Sequence, residues 1–136
     1  MGETDDEIAN KVKTALQNNL KPILCIGENL FERENGQTKQ VIKNQIKSGL
    51  NLLEDKNESI VIAYEPIWAI GSGKAENPQD ALEIVKYIKT LTGKNTSVLY
   101  GGSVNAKNIY DFIQYQEING VLVGGASLKP KDFFNC

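Results

Sequence analysis

Tyr64-Glu65-Pro66-Ile67-Trp68-Ala69-Ile70-Gly71-Ser72-Gly73-Lys74 is the stretch that decides how this chain is built. An apolar run, Ile60-Val61-Ile62-Ala63-Tyr64, leads into it and reads as a buried strand. That strand delivers a carboxylate, Glu65, at its C-terminal end. A proline-anchored loop follows and finishes in Gly-Ser-Gly-Lys. In α/β folds, functional side chains gather at the C-terminal ends of parallel strands. A carboxylate there, beside a glycine-rich loop able to close over it, suits base chemistry in a water-excluded site.

Outward from this stretch, strand and helix signals alternate. Thr4-Asp-Asp-Glu7 has the form of a capping box, and Ile8, Val12, Ala15 and Leu16 recur behind it at helical spacing, up to Asn18-Asn19. Pro22-Ile-Leu-Cys-Ile26 is a short apolar strand closed by Gly27. A polar loop containing Gly36 leads to a helix striped by Ile42, Ile46, Leu50 and Leu53. Beyond the central strand, Asn77-Pro78 starts a helix striped by Ala81, Ile84, Val85, Ile88 and Leu91, and Gly93 stops it. Ser97-Val-Leu-Tyr100 is a third strand, and Asn105 is expected to cap a helix carrying Ile109, Phe112 and Ile113. Val121-Leu-Val123 is a fourth strand, Gly124-Gly125 opens a short helix, and Leu128-Lys-Pro130 introduces a last helical piece through Phe133 and Phe134. A helix, then strand and helix four times, predicts four parallel strands covered by helices, in a single unit over 1–136. A (β/α)8 barrel needs twice as many units and about 250 residues, so the pattern is half of one.

The 136 residues carry 15 basic and 17 acidic side chains, a net charge of -2 that leaves no basic footprint for nucleic acid or for a membrane surface. Apolar runs are too short for a membrane span. The acidic, polar start, Met1-Gly-Glu-Thr-Asp-Asp-Glu7, is unlike a signal peptide. Cys25 and Cys136 form neither a disulfide framework nor a metal spacing, and Cys25 is expected to be a small buried thiol. These features point to a reducing, cytoplasmic setting. There is no histidine, which excludes Ser-His and Cys-His nucleophile pairs and histidine-based zinc sites. No metal site is expected.

The stretch 64–74 closely resembles the catalytic-glutamate strand and lid of the triosephosphate isomerase family. Tyr100-Gly-Gly-Ser-Val104 and Val123-Gly-Gly-Ala126 stand where that family has its phosphate loops, in the same order. The resemblance covers the second half of the family's barrel, units five to eight, from just after the fourth strand. Met1 then reads as an added start.

The resemblance implies an isomerase of glycolysis and gluconeogenesis, a homodimer without cofactor, that interconverts glyceraldehyde 3-phosphate and dihydroxyacetone phosphate. Glu65 matches the glutamate that moves a proton between two carbons of the triose phosphate. Gly71, Ser103, Gly124 and Gly125 match the backbone donors that hold the substrate phosphate. Pro66-Ile67-Trp68 and Lys74-Ala75-Glu76 match the lid hinges, with Ser72 and Gly73 at the lid's tip. Ile70 and Leu122 match the apolar clamp over the glutamate, and Tyr100 the tyrosine that latches the closed lid. Ser72 departs mildly from the family's usual threonine. The larger departure is that the family's neutral histidine, its lysine and its subunit-crossing loop lie in segments with no counterpart here. The isolated chain is therefore expected to be essentially inactive. Its expected partners are an N-terminal half-barrel or a second copy of itself.

Other readings stand beside this one. The chain could be a non-catalytic half-barrel scaffold with residual phosphate binding, or a small phosphosugar-binding domain. Gly71-Ser72-Gly73-Lys74 does not meet the spacing of a P-loop. Glu28, also at a strand end, is expected to form a structural ion pair with Arg33. Glu32-Arg33-Glu34 reads as a solvated face, and Tyr110, Phe112 and Tyr115 as packing aromatics.

Overall fold

The computed structural model describes residues 2–53, 60–70 and 75–136. Helix α1 (Asp5–Gln17) opens the chain, and its capping box forms as expected: Thr4 accepts from the Glu7 N–H while the Glu7 carboxylate accepts from the Thr4 N–H. Asn18 caps its end and Asn19 turns the chain with φ 59°. Strand β1 (Ile23–Ile26), a short helix α2 (Leu30–Glu34) and helix α3 (Thr38–Gly49) follow. Next come β2 (Val61–Tyr64), a 3-10 turn over Ile67–Ala69, α4 (Pro78–Thr92) and β3 (Ser97–Tyr100). Helix α5 (Ile109–Ile113), a second 3-10 turn over Gly125–Leu128 and α6 (Pro130–Phe134) complete the described elements.

The three strands pair in parallel in the order β1-β2-β3. The register sets Ile26 beside Tyr64 and Tyr64 beside Tyr100, so the C-terminal ends of all three strands lie level. The fourth apolar run pairs where expected, along β3 and in parallel, but only as one bridge between Tyr100 and Val121. Tyr100 donates to the Gly120 carbonyl and accepts from the Leu122 N–H. Gly120, at φ 153°, and Gly124 bracket only three residues, and no described strand lies on the run's far side to extend the ladder.

One hydrophobic cluster fills the side of the sheet that the helices cover. Leu24, Ile26, Ile62, Tyr64, Val98 and Tyr100 point into it from the strands. Ile42 and Ile46 of α3, Ala81, Ile84, Val85 and Ile88 of α4, and Phe112 of α5 close over them. Most predicted stripe positions fall in this cluster or, as Ile8, Leu16, Leu53, Leu91 and Ile109 do, pack against it half-buried, whereas Ile113, expected on the α5 stripe, is exposed. On α4, Asn77 accepts from the Gln79 N–H at the N-cap, Pro78 takes the first helical position, and Gly93 ends the helix at φ 112°. On the sheet's other side burial is incomplete: Ala63 is buried, but Ile23 and Cys25 are exposed, and Val61 and Leu99 are only half-buried. Strands buried on both faces are the rule in parallel sheets, whereas here the second face is covered only in part.

Four local expectations change. The polar stretch after β1 contains α2, closed by a second capping box in which Asn29 and Glu32 exchange hydrogen bonds. Asn105 caps only a turn, by accepting from the Lys107 N–H, and α5 begins four residues later. Tyr110 is exposed, while Phe112 stacks on Tyr100 with ring centroids 4.0 Å apart and Tyr115 packs on the core. Cys25 is not buried, because strand alternation turns it away from the helices and onto the open face.

Candidate functional site

The level strand ends set the site. Glu65 follows β2 directly, and its N–H donates to the Ile26 carbonyl at 2.7 Å. The Gly101 N–H donates in turn to the Tyr64 carbonyl at 2.8 Å. These bonds extend the ladder one residue past the strands and hold the Glu65 backbone between two neighbours. Both neighbours are glycines or lead to one. A Cβ at Gly27 would collide with the Glu65 carbonyl, and a Cβ at Gly101 would lie 2.6 Å from Glu65 Cγ and 3.1 Å from its Oε1. Gly101 thus leaves the space that the Glu65 side chain occupies.

That side chain lines a cavity of about 500 Å³. The other walls are the 101–105 turn after β3, the 122–126 turn after the Val121 bridge, and Ile70. Glu65, Ser103, Gly124 and Gly125 are therefore gathered around one space, with Leu122 and Ile70 as its apolar members. Gly124 and Gly125 have nothing within 4 Å of an added Cβ, so their backbone faces open room. Ser103 is fixed from both sides: its hydroxyl donates to the Ala69 carbonyl at 2.5 Å, and its carbonyl accepts from Asn108 Nδ2 at 3.0 Å. Cys25 stands beside Glu65 on the open face. Partial desolvation, together with the Glu65 carboxylate, pushes its thiol up to about 11, which makes it a poor nucleophile at neutral pH.

Gly71, Ser72, Gly73 and Lys74, expected as phosphate donor, lid and hinge, lie outside the described residues. The two ends of that loop are described. Pro66 is buried, Ile67 exposed and Ile70 half-exposed. Trp68 donates from Nε1 to Glu28 Oε1 at 3.1 Å. On the far side, the Glu76 N–H donates to the Tyr100 hydroxyl at 3.2 Å, so Tyr100 holds the loop's exit from within the core. Burial raises the Tyr100 hydroxyl to about 12, which keeps it neutral.

Around Glu28, which follows β1, lies a largely buried charge cluster that is only partly legible in the sequence. Arg33 meets Glu28 as expected, at 3.5 Å, but it also reaches Glu76 Oε1 at 2.7 Å and Asp80 Oδ2 at 3.1 Å. The Arg33 guanidinium sits 5.6 Å from the Trp68 ring centroid. Arg33 is thus no part of a solvated face; α2, unforeseen, carries it inward. Tyr64 OH donates into the Glu28 carboxylate at 3.2 Å and stands 3.3 Å from Glu76 Oε1. The sequence alone assigns Tyr64 no role in this cluster, although its place at the end of an apolar strand, next to Glu65, is a usable signal. Gln45, likewise without an assigned role, exchanges two hydrogen bonds with the Gly27 backbone, at 2.9 and 3.0 Å, and pins that turn to α3. Among the described residues, no group of His, Cys, Asp or Glu is arranged to hold a metal ion, and no helix is long and apolar enough to cross a membrane.

The sequence of this chain is similar to those of known proteins. The triosephosphate isomerase family model matches residues 1–136. A triosephosphate isomerase of Dictyoglomus turgidum is 47% identical over 142 residues, which cover 98% of this chain and 57% of that protein. One from Mycoplasma mobile is 47% identical, over 98% of this chain and 54% of its own length. One from Aquifex aeolicus is 45% identical, over 97% and 56%. The chain spans about half the length of the curated relatives it matches. Because the family's model is matched along all 136 residues, this half of an α/β barrel belongs to the triosephosphate isomerase family.

Proposed function

We propose that Glu65 is the base that moves a proton between adjacent carbons of a triose phosphate, and that the turns at Ser103 and Gly124-Gly125 cradle the phosphate with backbone N–H groups. The observation that carries this reading is the shared cavity: one carboxylate and two glycine-containing turns face the same space. A cradle of backbone donors needs no cationic side chain to orient an anion. Ile70 and Leu122 would exclude water from Glu65 once substrate is bound, and desolvation of a carboxylate strengthens it as a base. Gly71, Ser72 and Gly73 would complete the lid between hinges at Pro66-Ile67-Trp68 and Lys74-Ala75-Glu76. In the whole protein the reaction would be the interconversion of glyceraldehyde 3-phosphate and dihydroxyacetone phosphate, in glycolysis and gluconeogenesis, in the cytoplasm and as a homodimer.

The 136-residue chain contains no histidine, so the neutral imidazole that polarises the carbonyl in the family must come from elsewhere. A single missing electrostatic donor costs about 10²–10³ in rate. This chain alone should therefore bind phosphate weakly and turn over almost nothing. An N-terminal half-barrel from a relative, or less effectively a second copy, would supply the missing wall. The test is a phosphate titration followed by amide NMR. Shifts concentrated at Ser103, Gly124 and Gly125 support the reading. Silence at those three positions, with shifts elsewhere, overturns it.

A further inference from the structure

Glu28 and Glu76 are both buried, at 0% and 2% exposure, and share one buried-side cation, Arg33. The third carboxylate on that guanidinium, Asp80, is exposed. Two buried negative charges against one positive charge leave a net charge out of water, which proteins relieve by protonating one of the acids. Glu76 is the one placed to take the proton. Glu28 is met by the hydrogens of Tyr64 and Trp68 as well as by Arg33. Glu76 has Arg33 on Oε1 with Tyr64 near the same atom, while its Oε2 is buried without a hydrogen-bond partner. Burial first, with Glu28 adding to it and Arg33 opposing, raises the Glu76 carboxyl from 4.5 to about 7.

The position of Glu76 gives that proton a consequence. Its backbone N–H is tied to Tyr100 in the core, and its side chain is tied through Arg33 to Glu28 and Trp68. Trp68 lies on the segment entering the 66–76 loop and Glu76 on the segment leaving it. We propose that Glu76 is a proton-controlled clamp that joins the two ends of this loop: ionised, it holds Arg33 between itself and Glu28; protonated, it releases Arg33 toward Glu28 and alters the packing of Arg33 on Trp68. The groups facing Glu76 are Arg33 from α2, Glu28 from the turn after β1, Tyr64 from β2, Tyr100 from β3 and Asp80 from α4. The clamp does not depend on what Glu65 does.

The test uses the 136-residue chain and needs no turnover. Trp68 is the only tryptophan and there is no histidine, so no other side chain ordinarily titrates near neutrality and one fluorophore reports. Trp68 emission, followed from pH 5.5 to 8.5, should show a one-proton transition with a midpoint near 7. Carbon-detected NMR of the glutamate carboxyls should assign the same midpoint to Glu76. In Glu76→Gln the transition should vanish, and in Glu28→Gln it should move to lower pH as the neighbouring negative charge is removed. A Glu76 carboxyl titrating near 4.5, a flat Trp68 signal, or a transition that survives in Glu76→Gln each overturns the clamp. If Glu76→Gln does not fold, agreement or disagreement between the two wild-type titrations decides.

Discussion

Gly101 and Glu65 show how tightly the site is drawn. In Gly101→Ala the new methyl must displace the Glu65 side chain, because the Cβ would arrive 2.6 Å from its Cγ. A misplacement of about 1 Å in a reacting group costs roughly 10²-fold. We expect that loss in turnover when the variant is mixed with an N-terminal half-barrel, while Ser103, Gly124 and Gly125 still shift with phosphate. Steady-state kinetics beside the NMR titration would check it, and unchanged turnover would show that Glu65 has room to spare. Glu76 makes a second prediction, in stability. Its carboxyl titrates higher when folded, at about 7, than its ordinary 4.5. Between those values the folded chain holds the extra proton, so the contribution is present below about 4.5 and is lost as pH rises to about 7. Urea unfolding across that range should show this downward slope, and Glu76→Gln should flatten it.

Helix α4 rests on consistent signals: an N-cap asparagine, a proline at the first turn, one apolar stripe and a terminating glycine. Asn77→Ala should cost about 1 kcal/mol, read as a lower urea midpoint at unchanged slope. Such elements were legible in the sequence because local chemistry and burial agree. The same holds for α1 with its Thr4 box and for the three strands. Where the sequence misled, tertiary placement had the last word. Asn29 and Glu32 carry a capping box as clear as that of α1, but α2 is five residues long and holds no apolar stripe to mark it. Asn105 is a good cap that starts only a turn. In the site, Glu65 and the glycine turns were readable from strand ends, and Glu28 with Arg33 as a pair. The Glu76 and Asp80 contacts with Arg33 were not, since they join positions more than forty residues apart with no periodic relation.

At the scale of the molecule, the sheet is unfinished on two sides. The outer edge of β1 has no described strand beside it, and β3 is followed by a single bridge. Unpaired N–H and C=O groups along an apolar strand are a template for another chain. The face turned from the helices leaves Ile23 47% exposed with Cys25 beside it, and Leu128 and Phe134 stand out at 84% and 90%. Side chains from eight strands pack the interior of a complete barrel; here the described strands supply one wall. Exposed apolar surface, together with an open sheet edge, favours association over hydration. We therefore expect the 136-residue chain to self-associate at micromolar concentration, either as a dimer closed edge to edge or as less ordered oligomers. Light scattering coupled to size-exclusion chromatography distinguishes these states. An N-terminal half-barrel added in equal amount should compete with self-association, because it offers β1 the neighbour and the open face the covering that a second copy provides less well. A monodisperse monomer with cooperative unfolding, unmoved by the added half, would mean that the open edge and face are stable in water as they stand.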